Sequence, residues 1–313
     1  MIIVTGSLAF DFIMDFPGKF ADQIVPEKIH QINLSFLVNT LRQGNGGTAG
    51  NIAYNLALLK QRVGILASAG KDFTPYKLFL KKNKVETKFI NIRKDDFTAR
   101  AFITTDLSDN QITGFYPGAI NYDKDLSLSK VKPKPELVVI SPTDPIAMGN
   151  FVSECIEEVI PFMFDPGMQL PRLSDEILKR GSANAKILIG NDYEISLLKN
   201  KLNIRKWNFQ KKDQIIITTL GKEGSIIETA EKKISIPPAK PKEVLDPTGA
   251  GDAYRGGFLA GYLRKLPFEV CGRMGSLASI YTVEKYGTST HKYSVAEFCG
   301  RYEKNFKEKL KII

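Results

Sequence analysis

Residues 246–258 read DPTGAGDAYRGGF, a stretch that sets a carboxylate directly behind a Gly-Ala-Gly turn where an apolar helix begins. Glycine lets the backbone N–H groups of Gly249, Ala250 and Gly251 turn into one concavity, and the positive end of the following helix favours an anion there. Asp252 then stands within reach of whatever fills that anion hole. A carboxylate beside an anion site needs a chemical reason, and proton abstraction from an attacking hydroxyl during phosphoryl transfer supplies one. Capping the helix is the other role an Asp fills at such a place. Asp246 and the small pair Gly256-Gly257 favour the chemical reading.

The 313 residues around this stretch can bury a large core. With 43% hydrophobic and 25% charged residues the composition is that of a globular protein, and no run reaches the ~18 apolar residues of a membrane span. The opening MIIVTGSLAFDF has no basic region before its apolar residues and meets Asp11 early, so it reads as a buried strand rather than a signal peptide. Cys155, Cys271 and Cys299 lack metal-like spacing and imply a reduced, cytoplasmic setting. The formal charge of +10 is spread along the chain. It forms no basic stripe with interleaved aromatics, which argues against a nucleic-acid partner. No membrane partner is expected either.

Apolar runs and helical periods alternate through the middle of the chain. Strands are expected at 2–7, 63–67, 137–140, 162–164, 187–189 and 215–218, and helices at 52–60, 73–83, 146–159, 173–179 and 192–199. Such alternation predicts a mostly parallel sheet covered by helices on both faces, with ligands beyond the carboxyl ends of its strands. A hairpin over 225–236 and three helical stretches after Gly249 complete a single α/β domain, 1–313. Two β-rich inserts, about 8–42 and 92–122, are expected to pair as a lid over that edge.

Three further turns carry candidate chemistry. Gly44-Asn45-Gly46-Gly47-Thr48-Ala49 fits a dinucleotide fingerprint only superficially, because Asn39, Arg42 and Gln43 interrupt the strand that should precede it. Its glycines suit close approach to a hydroxyl-rich ligand with Asn51 as a hydrogen-bonding partner, or tight helix–sheet packing. In Asn191-Asp192-Tyr193-Glu194, Asn191 and Glu194 face the same way at a helix start, which suits Mg²⁺ held through water and equally a capping box. Thr219-Leu220-Gly221-Lys222-Glu223-Gly224 is either a phosphate cradle or a connecting turn. No GxxxxGK[ST] is present, which excludes a Walker-type loop. With only His30 and His291, neither near a Ser or Cys motif, a His-based hydrolase triad is not expected.

Together these motifs resemble the ribokinase-like PfkB family of carbohydrate and nucleoside kinases. GGTAGNIAYNLALL at 46–59 and DPTGAGDAYRGGF look like its two signatures, NDYE like its Mg²⁺ motif and TLGKEG like its nucleotide-binding turn. The resemblance implies that Asp252 is the catalytic base and Gly249, Ala250 and Gly251 the anion hole. It implies further that Asn191 and Glu194 organise hydrated Mg²⁺ and that Thr219, Gly221 and Gly224, with Asn191, contact ATP. Asp11, Gly46, Gly47 and Asn51 would hold sugar hydroxyls, a carboxylate being able to accept from two neighbouring ribose hydroxyls. Asp246, Thr248 and the loop at 286–289 resemble a monovalent-cation region, implying K⁺ activation.

Within the family, GSLAFD, LSFLV, FYPGA, the DP-x-x-QL pattern of 165–170 and IGNDYE are similar to the bacterial adenosine kinases. That likeness implies phosphorylation of the adenosine 5′-hydroxyl to give AMP. Phe102 and Phe115 would sandwich the base, Ser7 and Ser35 would add polar contacts, and Gln169 would read the purine edge. Met168 stands where those kinases can present a second glutamine, a change that relaxes base selectivity. The other readings are a sugar kinase of the same fold, a kinase of inosine or guanosine, and a non-catalytic nucleoside or sugar sensor. Exposed lid strands would allow a homodimer.

Overall fold

The computed structural model describes residues 1–24, 30–31, 34–108, 110–207 and 212–312. In chain order the elements are β1 (Ile2–Thr5), β2 (Ala9–Asp15), β3 (Thr40–Gly46), α1 (Thr48–Leu58), β4 (Val63–Leu66), β5 (Ser68–Gly70), α2 (Thr74–Lys82), β6 (Asn91–Arg93), β7 (Ala99–Thr105) and β8 (Gln111–Tyr116). They continue with β9 (Leu137–Ile140), α3 (Pro145–Glu157), β10 (Phe162–Phe164), α4 (Asp175–Asn184), β11 (Ile187–Asn191), α5 (Asp192–Lys201), β12 (Ile215–Thr219), β13 (Ser225–Glu228), β14 (Lys233–Ile236), α6 (Ala250–Tyr262), α7 (Phe268–Val283) and α8 (Val295–Phe306).

The main sheet has eight strands in the order β14-β13-β12-β11-β10-β9-β1-β4. The six from β12 to β4 run parallel and the β13–β14 hairpin closes one edge antiparallel. Parallel strands are covered on both faces, so their runs are nearly all apolar and turn polar only at the carboxyl ends of β1, β11 and β12. Successive side chains enter opposite layers. Ile2, Val4, Leu137, Val139, Ile187 and Ile189 join the core with α1, α2, α6, α7 and α8. Ile3, Val138, Ile140 and Leu188 join the core with α3, α4 and α5. α4 runs past its expected end because tertiary burial of Gly181 and Ser182 overrides their weak helix propensity.

β4 flanks β1 on one side and β9 on the other, so the strand order reverses there and opens a crevice beyond the carboxyl ends. Glycines bring α6 to it. A β-carbon on Gly256 would lie 2.6 Å from Asn55 Cβ, and one on Gly257 would lie 2.5 Å from the Met274 carbonyl, so α6 packs tightly on both α1 and α7.

Both β-rich inserts contribute to a second sheet, ordered β3-β2-β7-β8. β2 pairs with β7 in parallel, and the two outer pairings are antiparallel. The part of the first insert at 25–29 and 32–33 lies outside the described residues. β3, unreadable as a buried strand, is an exposed lid strand, which explains Arg42 and Gln43 within it.

Candidate functional site

Asp252 lies in the first turn of α6 behind Gly249, whose φ of +79° is left-handed and favours glycine. It is half-buried. Asn51 Nδ2 donates to Asp252 Oδ2 at 2.9 Å, and Asn51 Oδ1 lies 2.7 Å from the Thr288 hydroxyl. Asn51 is 3% exposed with both ends of its amide engaged. It therefore holds the Asp252 carboxylate in place. Burial pushes Asp252 up to about 6, against the Arg255 charge and the Asn51 hydrogen bond, while Asp165 and Asp11 add to the rise. Of the three expected anion-hole amides, that of Ala250 donates instead to the Pro247 carbonyl at 3.2 Å. The turn is thus tighter than the sequence implied.

Asp11 faces this centre from β2. Gly46 admits it, since a β-carbon there would stand 2.2 Å from Asp11 Oδ2. Burial, then the charge of Asp246, pushes Asp11 up to about 6. Gly47 packs on the Ser7 carbonyl, 2.5 Å from where its β-carbon would be, and Ser7 Oγ accepts from the Thr48 amide at 3.0 Å. Ser7 thus caps α1.

The lid register corrects the expected aromatic sandwich. Asp11 pairs with Ala101, which pairs with Phe115, so these three share one face. Phe12, Phe102 and Gly114 share the other, and the Phe12 and Phe102 rings stack at 5.1 Å. Side chains alternate with period two, so Phe102 and Phe115 point to opposite sides and do not enclose one base within a chain. Ala101 holds the position that Phe102 was expected to fill. Ser35 is exposed, just before Phe36, which packs on Phe16 and Phe20.

At the end of β11, Asn191 Oδ1 accepts from the Glu194 amide and Glu194 Oε2 from the Asn191 amide, both at 2.8 Å. The capping box is therefore formed. The Glu194 carboxyl is half-buried, and burial, then the nearby Asp165, pushes its pKa up. A carboxylate raised in this way and an amide oxygen suit a cation held through its own waters more than a closed protein cage.

Thr219 ends β12, and Leu220 N–H closes the next turn on the Gly224 carbonyl at 2.8 Å. A β-carbon on Gly224 would meet the Ile236 carbonyl at 2.1 Å, so its role is to seat the hairpin, whereas Gly221 faces open space. Asp246 accepts from the amides of Thr248 and Gly287, each at 2.9 Å, and so ties together the two segments of the expected cation region. Gln169, just beyond β10, has a buried Oε1 with no hydrogen-bond partner among the described residues. Met168 beside it is exposed.

Sequence reasoning missed Asp165 and Arg255 as a pair. Arg255 Nη2 donates to Asp165 Oδ1 at 2.9 Å and Nε lies 2.5 Å from Oδ2, with the two residues 7% and 1% exposed. The signal was an Arg among the apolar and small residues that follow Asp252 on α6, a place where a buried cation needs an acid.

The family model described as pfkB family carbohydrate kinase matches residues 16–294. The chain belongs to the pfkB carbohydrate kinase family. Among its relatives is the nucleoside kinase of Methanocaldococcus jannaschii, 31% identical with 97% of each chain covered. The pfkB fold is ribokinase-like, and the nucleoside kinase of Burkholderia thailandensis, solved in complex with inosine, matches with a TM-score of 0.89 at 34% identity over 99% of both chains. The adenosine kinase of Sinorhizobium meliloti shares the fold, with a TM-score of 0.74 at 18% identity, covering 97% of this chain and 98% of that one. Among the described residues no helix is long and apolar enough to cross a membrane.

Proposed function

We propose that this chain is an ATP- and Mg²⁺-dependent nucleoside kinase acting on the 5′-hydroxyl of purine nucleosides, adenosine among them. The observation that carries the reading is the pair of carboxylates Asp11 and Asp252. They reach the same centre from the lid and from α6, and each is raised to about 6. Asp11 would accept from the ribose hydroxyls, while Asp252, fixed by Asn51, would take the 5′-hydroxyl proton. A base with a pKa just below neutrality is ionised at pH 7 and still accepts a proton readily. Mg²⁺, when bound near Glu194, supplies charge neutralisation for the triphosphate.

Two features favour a nucleoside over a bare sugar. Phe115, 54% exposed on the face of Asp11, offers a ring for a base to stack on. Gln169 Oε1 is an unsatisfied buried acceptor, suited to the amino group of adenine or the ring N–H of hypoxanthine. With Ala101 opposite Phe115, stacking is one-sided, which favours tolerance among purines over strict adenosine selectivity. The relatives named nucleoside kinase support the same reading, one of them solved with ADP and inosine together.

The reading includes a cytoplasmic setting, in keeping with three free cysteines, and K⁺ binding near Asp246 and Thr248. It also includes a homodimer through the reverse lid face, where Leu41, Phe102 and Ile112 are exposed. Coupled ADP release with ATP and Mg²⁺ across adenosine, inosine, guanosine, ribose and fructose tests the substrate, with Asp252→Asn as the blank. Turnover with purine nucleosides is expected. Turnover with free sugars alone would overturn the nucleoside reading, and none with any acceptor would turn the protein into a sensor.

A further inference from the structure

Arg255 follows Gly251 by four residues and Asp252 by three, so all three lie on one side of the first turns of α6. Helical side chains lean toward the N-terminus, and this guanidinium folds back beneath the Gly249–Gly251 turn. A β-carbon on Gly251 would sit 2.9 Å from Arg255 Nη1. The other edge of the guanidinium meets Asp165, with a hydrogen bond from Nη2 to Oδ1 and an ion-pair contact between Nε and Oδ2. Among the described residues no protein acceptor hydrogen-bonds to Nη1.

A salt bridge serving packing alone could be met anywhere in the core. This one stands at the carboxyl edge of β10, and its cation acts on both Asp252 and Glu194. Burial works against the Arg255 charge, and Asp165, Asp252 and Glu194 more than offset it. The groups facing Asp252 are thus Asp11 from β2, Asn51 from α1, Tyr76 from α2, Asp165 after β10 and Arg255 on its own helix. Arg255 is the cation among them, and its rigid fork can hold a carboxylate with one edge and a phosphoryl oxygen with the other.

We propose that Arg255 is a second catalytic side chain, positioned by Asp165 so that its Nη1 edge contacts the phosphoryl group in transfer at the Gly249–Gly251 turn. The nucleoside 5′-oxygen forms its bond to the γ-phosphorus as the bond from that phosphorus to the ADP oxygen breaks. The hydroxyl proton passes to Asp252, and Arg255 stabilises the negative oxygens of the group in flight. The inference rests on the proposed role of Asp252.

The test uses Arg255→Lys and the double variant Arg255→Met with Asp165→Leu, which removes both buried charges and leaves no unpaired acid. Both should fall about 10²–10³-fold in kcat with nucleoside KM little changed. In the double variant the acid limb of the kcat–pH profile should also move modestly to higher pH, because Asp252 loses the larger lowering influence of Arg255 together with the smaller raising influence of Asp165. A purely structural pair would leave kcat at saturating nucleoside within a fewfold of wild type in any variant that folds. A kcat within a fewfold of wild type in the double variant overturns the proposal. Should the double variant fail to fold, Arg255→Lys decides alone, with wild-type kcat as the overturning result. Asp252→Asn, measured in parallel, separates the two ideas: full turnover there would defeat the base assignment, whatever Arg255 does.

Discussion

The α6 end of the site and the lid end hold carboxylates raised to about the same pKa, but they hold them by different means. Asp252 stands on a helix locked between α1 and α7 by Gly256 and Gly257, and Asn51 fixes its carboxylate. Asp11 stands on a four-stranded sheet whose strands are half open to water, and its place depends on one glycine across the β2–β3 pair. The first arrangement is rigid and suits chemistry. The second can shift as a sheet and suits capture of substrate. Changes near α6 should therefore appear in kcat, and changes in the lid should appear in KM.

The largest effect tests the rigid end. Asp252→Asn should lower kcat by about 10³–10⁴-fold with little change in nucleoside binding by calorimetry. It should also stabilise the protein at neutral pH. Folding raises Asp252 from 3.8 to about 6, so its favourable contribution is complete below pH ~4 and is lost as pH rises through about 6. An uncharged Asn keeps the Asn51 hydrogen bond without that loss, and the melting temperature at pH 7 should rise, in keeping with a gain of order 1–2 kcal/mol. Unchanged turnover, or a lower melting temperature at pH 7 than at pH 4 relative to wild type, would break the contrast.

The next effect tests the lid. Gly46→Ala would drive a methyl into the Asp11 carboxylate, 2.2 Å from Oδ2. Nucleoside KM should rise about 10–100-fold, or ~1.4–2.8 kcal/mol of binding, with kcat within a fewfold of wild type. A fall confined to kcat would show that the lid positions chemistry after all.

The sequence made the two ends unequally legible. Strands such as Leu137–Ile140 are apolar at every position, the mark of a parallel sheet covered on both faces. The lid strands mix Asp15, Arg42, Thr104 and Gln111 with Phe and Ile, so a pattern of one buried face is hard to see. Assigning Phe102 to the site face was wrong by one position, and in a strand one position is the difference between two faces. Asn191 and Glu194 were ambiguous for another reason: a capping box and a cation site use the same residues at the same spacing. Arg255 was invisible because its meaning depends on Asp165, 90 residues earlier in the chain, and only the folded sheet edge brings them together.

The smallest effects distinguish the two lid faces directly. Phe115 lies on the face of Asp11, and base–aromatic stacking contributes ~1–3 kcal/mol. Phe115→Ala should therefore raise KM for adenosine and inosine about tenfold while leaving any weak turnover of free ribose unchanged, since ribose has no base to stack. Phe102 is stacked on Phe12 at 5.1 Å on the reverse face. Its replacement by Ala should forfeit ~0.5–1.5 kcal/mol of ring pairing and lower the melting temperature slightly, with nucleoside KM within twofold of wild type. Equal KM increases in the two variants of the isolated monomer would mean that both rings reach the base, which the observed register forbids. If the equality appeared only in a dimer, the reverse face of one lid would have to meet the site of another, and the second ring on the base would come from another copy of this chain.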